Sequence, residues 1–93
     1  MFFAVYYLGM LHNPSERQKK MRISYKKLWK LLIDKDMTRT ELRLKAGISS
    51  VSLAKLGKDE GVTTNVLLKV CTVLNCNIGD IMDIVPESEE HAR

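Results

Sequence analysis

Apolar residues recur at helical spacing through most of the chain after Met21, and residues that favour helix caps separate the repeats. A first helix is predicted from Tyr25 to Lys35, with Ser24 as its N-cap. Its apolar residues are Leu28, Leu31 and Leu32 on one face, with Trp29 and Ile33 on an adjoining stripe. Because the apolar residues are gathered on one side, this helix should pack against a core.

The segment Met37–Lys58 predicts a second helix that ends in a tight turn. Thr38, followed three residues later by Glu41, forms the pattern of a capping box, which starts a helix. Gly47 can end this helix in the left-handed conformation at no steric cost, and Ile48 follows as an apolar plug.

A third helix follows the turn directly. Ser49 can cap it, and Gly57 should end it. The inward faces of the two helices are Leu42 with Ala46 and Leu53 with Leu56. Two short helices joined by a glycine turn are the sequence pattern of a DNA-binding helix-turn-helix.

A fourth helix, capped by Thr63 or Thr64 and running to about Asn75, is apolar on two faces. One face consists of Leu67, Val70, Cys71 and Leu74. Val66 and Val73 form a second stripe, which a helix of a stable domain should also bury. Either a neighbouring segment of the same chain covers this stripe, or the stripe is a dimer contact. The sequence leaves both alternatives open.

A short fifth helix is expected from Gly79 to Ile84, capped by Asn77 and stopped by Pro86. Its residues available for burial are Ile81 and Met82. No strand-like alternation of apolar and polar residues is visible in the domain body. The predicted fold is therefore an all-α, five-helix helix-turn-helix domain.

The first eleven residues, Met1–Leu11, form an apolar run that is too short to span a bilayer and lacks the basic leading residues of a signal peptide. Two explanations are equally compatible with it. Met21 could be the biological start, with residues 1–20 coming from an upstream in-frame start or an added expression sequence. Alternatively, the run forms a strand or staple in an oligomer. The expected organisation is an extension (1–20), a domain (21–86) and a polar tail (87–93).

Charge is distributed unevenly along the chain. Ser15–Lys58 contains thirteen Lys or Arg against four acids, a net charge of +9. Asp59–Arg93 contains two basic residues against seven acids, a net charge of −5. Because the basic half coincides with the predicted helix-turn-helix, the charge favours phosphate binding over an ordinary solvated surface.

Catalytic and metal-binding chemistry finds little support. Cys71 and Cys76 are five residues apart, which fits neither a redox pair nor a zinc site, and Cys71 falls on an inward helix face. The two histidines, His12 and His91, lie in the tails, away from the cysteines and serines of the domain body. We therefore expect a non-enzymatic protein with no cofactor, metal or small-molecule ligand, and a reducing cytoplasm as its compartment.

Three segments carry a resemblance to a known family. From Met21 to Pro86, about two-thirds of the chain, the sequence resembles the small Cro and phage-repressor-like regulators of the XRE group. The matching segments are MTRTELRLKAGIS, SLAKLGK and VLLKVCTVLNCNIGDIMDIVP. More loosely, the whole resembles the short regulators of resistance operons, including those for vancomycin. The resemblance implies a bacterial transcriptional regulator that binds double-stranded DNA.

The resemblance also implies which residues contact DNA, because such proteins lay the third helix in the major groove. The base readers would be Ser50 as donor or acceptor, Val51 against a thymine methyl, and Lys55 at guanine O6 and N7. The residues at phosphate or positioning sites would be Arg39, Ser49, Ser52 and Lys58. The helix has no Gln, Asn or Arg, the usual bidentate readers, so backbone charge and DNA shape should carry more of the recognition.

A single short reader helix offers few base contacts, so a homodimer on two half-sites is expected. A different function class remains as the alternative. The chain could be a protein-interaction module, such as a helix-turn-helix antitoxin that masks its partner with the apolar run or the tail.

Overall fold

The computed structural model describes residues 20–87, which contain four α-helices, one 3-10 helix and a two-stranded sheet. The elements in chain order are β1 (Met21–Ser24), α1 (Lys26–Asp34), α2 (Arg39–Ala46), α3 (Ser50–Gly57), α4 (Thr64–Leu74), the 3-10 helix (Ile78–Asp80) and β2 (Asp83–Pro86). The predicted helix-turn-helix is therefore present as α2 and α3. The apolar run Met1–Leu11 and the polar tail beyond Glu87 lie outside the described residues, and both explanations of the run stay open.

The N-caps predicted for the helix-turn-helix are confirmed. Thr38 Oγ1 accepts the Glu41 N–H at 3.0 Å, and Glu41 Oε1 accepts the Thr38 N–H at 2.8 Å, which completes the capping box. The hydrogen bond from the Thr38 backbone lowers the pKa of Glu41. Ser49 caps α3, and Thr63 caps α4.

Each of the four α-helices is followed by a residue with a left-handed backbone. These residues are Asp36 (φ 55°), Gly47 (φ 69°), Asp59 (φ 59°) and Asn75 (φ 53°). In each case the next N–H donates to a carbonyl of the last helical turn: Met37 to Leu32, Ile48 to Arg43, Glu60 to Lys55 and Cys76 to Cys71. Only one of the four is glycine, because Asp and Asn tolerate this conformation better than other L-residues.

Asp59 also caps the start of α1, although it lies in the loop after α3. Its Oδ1 accepts the Tyr25 N–H at 2.9 Å, and its Oδ2 lies 3.3 Å from Arg22 Nη1. The Tyr25 hydroxyl donates to the Glu60 carbonyl at 3.0 Å, and burial, followed by the negative charge of Asp59, raises the pKa of Tyr25. The prediction of Ser24 as N-cap is wrong: the N-cap residue is Tyr25, whose N–H is satisfied by this distant carboxylate.

The predicted fifth helix and the all-α assignment are wrong. Only Ile78–Asp80 is helical, as a 3-10 turn, and Asp83–Pro86 forms β2. This strand pairs antiparallel with β1, Met21 opposite Pro86 and Ser24 opposite Asp83. Each strand is too short to show clear alternation, and its backbone partners come from the other end of the domain. Pro86, which has no N–H to donate, stands at the strand end.

One apolar core joins all these helices. Its buried members are Tyr25, Leu28, Leu32, Leu42, Ile48, Leu56, Val70, Leu74 and Ile81. Leu42 of α2 and Leu56 of α3 are completely buried, so both motif helices are anchored to it. Ile48 fills the turn between them, as predicted, and Ile81 is buried despite the loss of the fifth helix. Burying side chains of this size contributes about 1.5–3 kcal/mol each before entropy is counted.

The second apolar stripe of α4 belongs largely to the domain itself. Val66 and Val73 are partly buried and pack against the core, which favours the intrachain alternative over a dimer contact at these two residues. The exposed apolar residue of α4 is instead Leu68, with 62% of its surface accessible.

Gly47 provides a test of the turn. A Cβ at this position would meet nothing within 4 Å, so a substitution is opposed by backbone conformation and not by a clash. We expect Gly47→Val to destabilise the domain by about 1–2 kcal/mol, and Gly47→Asn to cost much less, because Asn adopts the left-handed conformation more readily. Urea unfolding of the full chain measures both.

Gly79→Ala is the matched control for this prediction. Gly79 also has open space around its Cα but lacks a positive φ, so this substitution should leave the free energy of unfolding unchanged or raise it by up to about 1 kcal/mol. Equal unfolding midpoints for Gly47→Val and Gly79→Ala would contradict the assignment of the turn.

Candidate nucleic-acid interface

Helix α3 has one face in the core and one face in solvent. Leu56 is completely buried and Leu53 is half-buried, whereas Ser50, Val51 and Lys55 are exposed. Val51 has 63% of its surface accessible, so its methyl groups are open to solvent on this face. The three residues predicted as base readers therefore share the outward side of α3, where they can reach a ligand together.

Ala54 belongs to the same exposed face, although it was not among the predicted contact residues. It lies four residues after Ser50 and three after Val51, so helical spacing alone could have identified it. Its small side chain lets the backbone of α3 approach a surface closely at the middle of this face.

Two serines organise the N-terminal end of α3. Ser49 Oγ accepts the Ser52 N–H at 3.0 Å and donates its own proton to Ser52 Oγ at 3.1 Å. Since Ser52 Oγ is the acceptor in the second bond, its proton can point outward to another acceptor. The first backbone N–H groups of a helix also lack partners within the helix and favour anions.

Arg39, the first residue of α2, lies over the indole ring of Trp29 from α1. The guanidinium carbon is 3.7 Å from the ring centroid, which is a close cation–π stack. Helical spacing in the sequence places Trp29, with Ile33, on an apolar stripe that adjoins the inward face of α1. No local spacing predicts the stack, because the two residues belong to different helices joined by a turn.

The Arg39 guanidinium also borders α3. A Cβ added to Gly57 would lie 3.2 Å from Arg39 Nη1, so Gly57 keeps a bulky group away from the arginine. Arg39 is therefore beside the C-terminal end of α3, and the exposed Lys58 follows at the C-cap of the same helix. The predicted phosphate contacts thus flank the exposed face of α3 at both of its ends.

The electrostatic character of this region is basic. Residues 37–58 carry five Lys or Arg against one acid, Glu41, whose carboxylate accepts a hydrogen bond in the capping box. Such a surface attracts polyanions, and the attraction should weaken with added salt.

The described part of the chain offers little support for a reactive thiol, a metal site or a membrane span. Burial, followed by the nearby Cys71, raises the pKa of Cys76 to about 11, so its reactive thiolate form is disfavoured at neutral pH. No group of three or more His, Cys, Asp or Glu within residues 20–87 could hold a metal ion. Among the helices of that region, none is long and apolar enough to cross a membrane.

Comparison with known proteins agrees with this geometry. The family profile of the Cro/C1-type HTH DNA-binding domain matches residues 27–87. The crystal structure of the transcriptional regulator VanUg is similar to this chain with a TM-score of 0.71 and 56% sequence identity, and the match covers 75% of this chain and 92% of that one. Among curated proteins, no sequence matches significantly.

The family match covers most of the described residues, including both helices of the motif and the basic surface around them. The similarity to a solved transcriptional regulator is consistent with the looser resemblance noted above. The chain belongs to the Cro/C1-type helix-turn-helix DNA-binding domain family, as its sequence predicted.

Proposed function

We propose that this DNA-binding domain regulates bacterial transcription by laying α3 in the major groove of an operator. The observation that carries the proposal is the exposed face of α3, where polar, apolar and cationic side chains stand together on a helix anchored by buried Leu56. A helix with such a face fits the width of the major groove, where base edges can be distinguished. The similarity to the regulator VanUg supports the regulatory role.

In this proposal, three side chains read bases. The Ser50 hydroxyl can donate to or accept from a base edge, and Val51 can pack against a thymine methyl group. Lys55 can donate to guanine O6 and N7 from the next turn. Ala54 adds apolar contact area between them. Since the face lacks Gln, Asn and Arg, DNA shape and deformability should contribute much of the sequence preference.

Four residues are proposed to hold the DNA backbone. Ser49 and Ser52 present the amide end of α3 and a hydroxyl proton to one phosphate region. Arg39 and Lys58 present positive charge near the other end of the helix. Contacts of this kind orient the protein on the duplex without carrying sequence information.

The proposal involves no cofactor, metal or catalytic step, and it implies action in the cytoplasm, where the operator would be. The domain is proposed to span residues 21–86. A protein-interaction module such as an antitoxin is the alternative. It is favoured by exposed Leu68 and Ile78, which border a depression between α4 and the 3-10 helix.

The first functional prediction concerns salt. Titration of the full chain with a labelled random-sequence duplex should give a logarithm of affinity that falls linearly with the logarithm of salt concentration. Each phosphate neutralised contributes a slope of about −0.9, and the relevant range is about 50 to 200 mM. A failure to bind duplex DNA at the lowest salt would reject the regulator and favour the interaction module.

The second prediction separates base reading from backbone binding with a matched pair of variants. Lys55→Ala and Lys58→Ala each remove one exposed lysine near the end of α3. On a selected operator, Lys55→Ala should cost about 1–3 kcal/mol and relax the preference at one base pair. Lys58→Ala should weaken operator and random duplex equally and make the salt slope shallower by about one unit.

Competition binding with single-base operator variants measures both effects. If Lys55→Ala weakens the operator and a random duplex to the same extent, Lys55 is a backbone contact and its assignment as a reader is wrong.

The third prediction is a homodimer. Two copies would double the base contacts and place half-sites about one helical turn apart. Because Val66 and Val73 pack against the core, exposed Leu68 becomes the candidate contact on α4. Sedimentation at tens of micromolar should show a dimer for the full chain and a shift toward monomer for Leu68→Gln.

A chain starting at Met21 is the companion measurement, since the described core lies within residues 20–87. If the Met21-start chain alone is monomeric, residues 1–20 form the interface. If all three proteins are monomeric and bind a palindromic operator without cooperativity, the dimer is rejected.

A further inference from the structure

The stack of Arg39 on Trp29 has a chemical consequence for DNA binding. A guanidinium group carries its N–H donors in its plane and around its edge, whereas the indole contacts it through its face. With the guanidinium carbon 3.7 Å from the ring centroid, Trp29 can hold the cation without consuming those donors. A carboxylate partner would instead occupy them.

The neighbouring residues leave the N–H donors of Arg39 available for a phosphate. The ion pairs within the described residues, Arg22 with Asp59 and Lys27 with Asp83, do not involve it. Arg39 is an exposed residue, whereas Trp29 is partly buried and packs against the core. The indole is thus a fixed platform, and the cation on it is accessible to solvent.

Gly57 lies close to one end of the same guanidinium group. It is the last residue of α3, its φ is not in the left-handed region, and its missing side chain leaves the Nη1 edge uncrowded. Glycine at a helical position with an ordinary backbone is unfavourable by about 0.8–1.0 kcal/mol relative to alanine. At position 57 the glycine instead leaves space beside the Arg39 guanidinium.

We propose that Trp29 and Gly57 are positioning residues for DNA binding: Trp29 holds the Arg39 guanidinium beside the end of α3, and Gly57 keeps its edge open to a phosphate of the DNA backbone. The inference rests on the proposed role of Arg39 as a phosphate contact. An arginine held in place before binding loses less side-chain entropy when it docks, and a free edge allows a bidentate contact with phosphate oxygens.

A double-mutant cycle on a random-sequence duplex tests the role of Trp29. Arg39→Ala should weaken binding and make the salt slope shallower by about one unit. Trp29→Leu should weaken binding by about two- to tenfold, the range that corresponds to immobilising one flexible side chain on docking. Because Trp29 acts through Arg39, adding Trp29→Leu to Arg39→Ala should cause no further loss. Trp29→Phe, which keeps an aromatic face, should recover part of the affinity.

Gly57 provides a second test, because its substitution should not lower folding stability, whereas Trp29→Leu removes a side chain that packs against the core. Gly57→Leu introduces a good helix former, so the folded state should be as stable as that of the original chain or more stable. The side chain would nevertheless displace the guanidinium, and binding to the random duplex should weaken only when Arg39 is present. Thermal unfolding of every variant separates loss of folding from loss of positioning.

Trp29 is the only tryptophan of the chain, so its fluorescence reports directly on the stack. Arg39→Ala should change the emission of the free protein, and duplex binding should change it in the original chain more than in Arg39→Ala.

The outcomes distinguish the phosphate contact of Arg39 from the positioning roles of Trp29 and Gly57. If Arg39→Ala binds with unchanged affinity and slope, the phosphate role of Arg39 fails and the positioning proposal fails with it. If Arg39→Ala weakens binding but Trp29→Leu and Gly57→Leu do not, only the positioning proposal is overturned. Losses that add independently in the double variants would also overturn it, because Trp29 would then act without Arg39.

Discussion

The structure depends on ending short helices at defined places. The four α-helices contain only eight to eleven residues each, and helices shorter than about 12–15 residues are marginal by themselves in water. Each one is therefore closed by a left-handed residue whose following N–H returns to the last turn. These closures set the chain direction between helices. As a result, Leu42 and Leu56 meet one core while the opposite side of α3 stays in solvent.

One loop residue, Asp59, contributes to several of the contacts that hold the short helices together. Asp59 closes α3 with its left-handed backbone, caps α1 with one carboxylate oxygen and pairs with Arg22 through the other. Because β1 leads directly into α1, this carboxylate also connects the sheet to the helix-turn-helix. These contacts link α1 to the loop after α3, and the packing of α2 against α1 decides whether Arg39 reaches Trp29.

Sequence patterns predicted the features whose partners are close along the chain. Three such features are the capping box of Thr38 and Glu41, the Ser49 cap and the glycine turn. Each involves residues within a few positions of one another, so the local sequence is enough to predict it. The helical repeat likewise separated the exposed face of α3 from its buried face. The other three helix ends were harder to predict, because Asp and Asn adopt the left-handed conformation only where the surrounding backbone requires it.

By itself, the sequence determined the family, the helix-turn-helix, most of the core and which residues of α3 face outward, because helical periodicity and local caps encode all four. Tertiary structure alone decided the rest. β1 and β2 exist only because the two ends of the domain meet and exchange backbone hydrogen bonds, so Asp83–Pro86 is a strand and not the end of a fifth helix. Likewise, the N-cap of α1 and the stack of Arg39 on Trp29 join residues from separate elements. Such contacts depend on helix packing, which no local spacing of residues specifies.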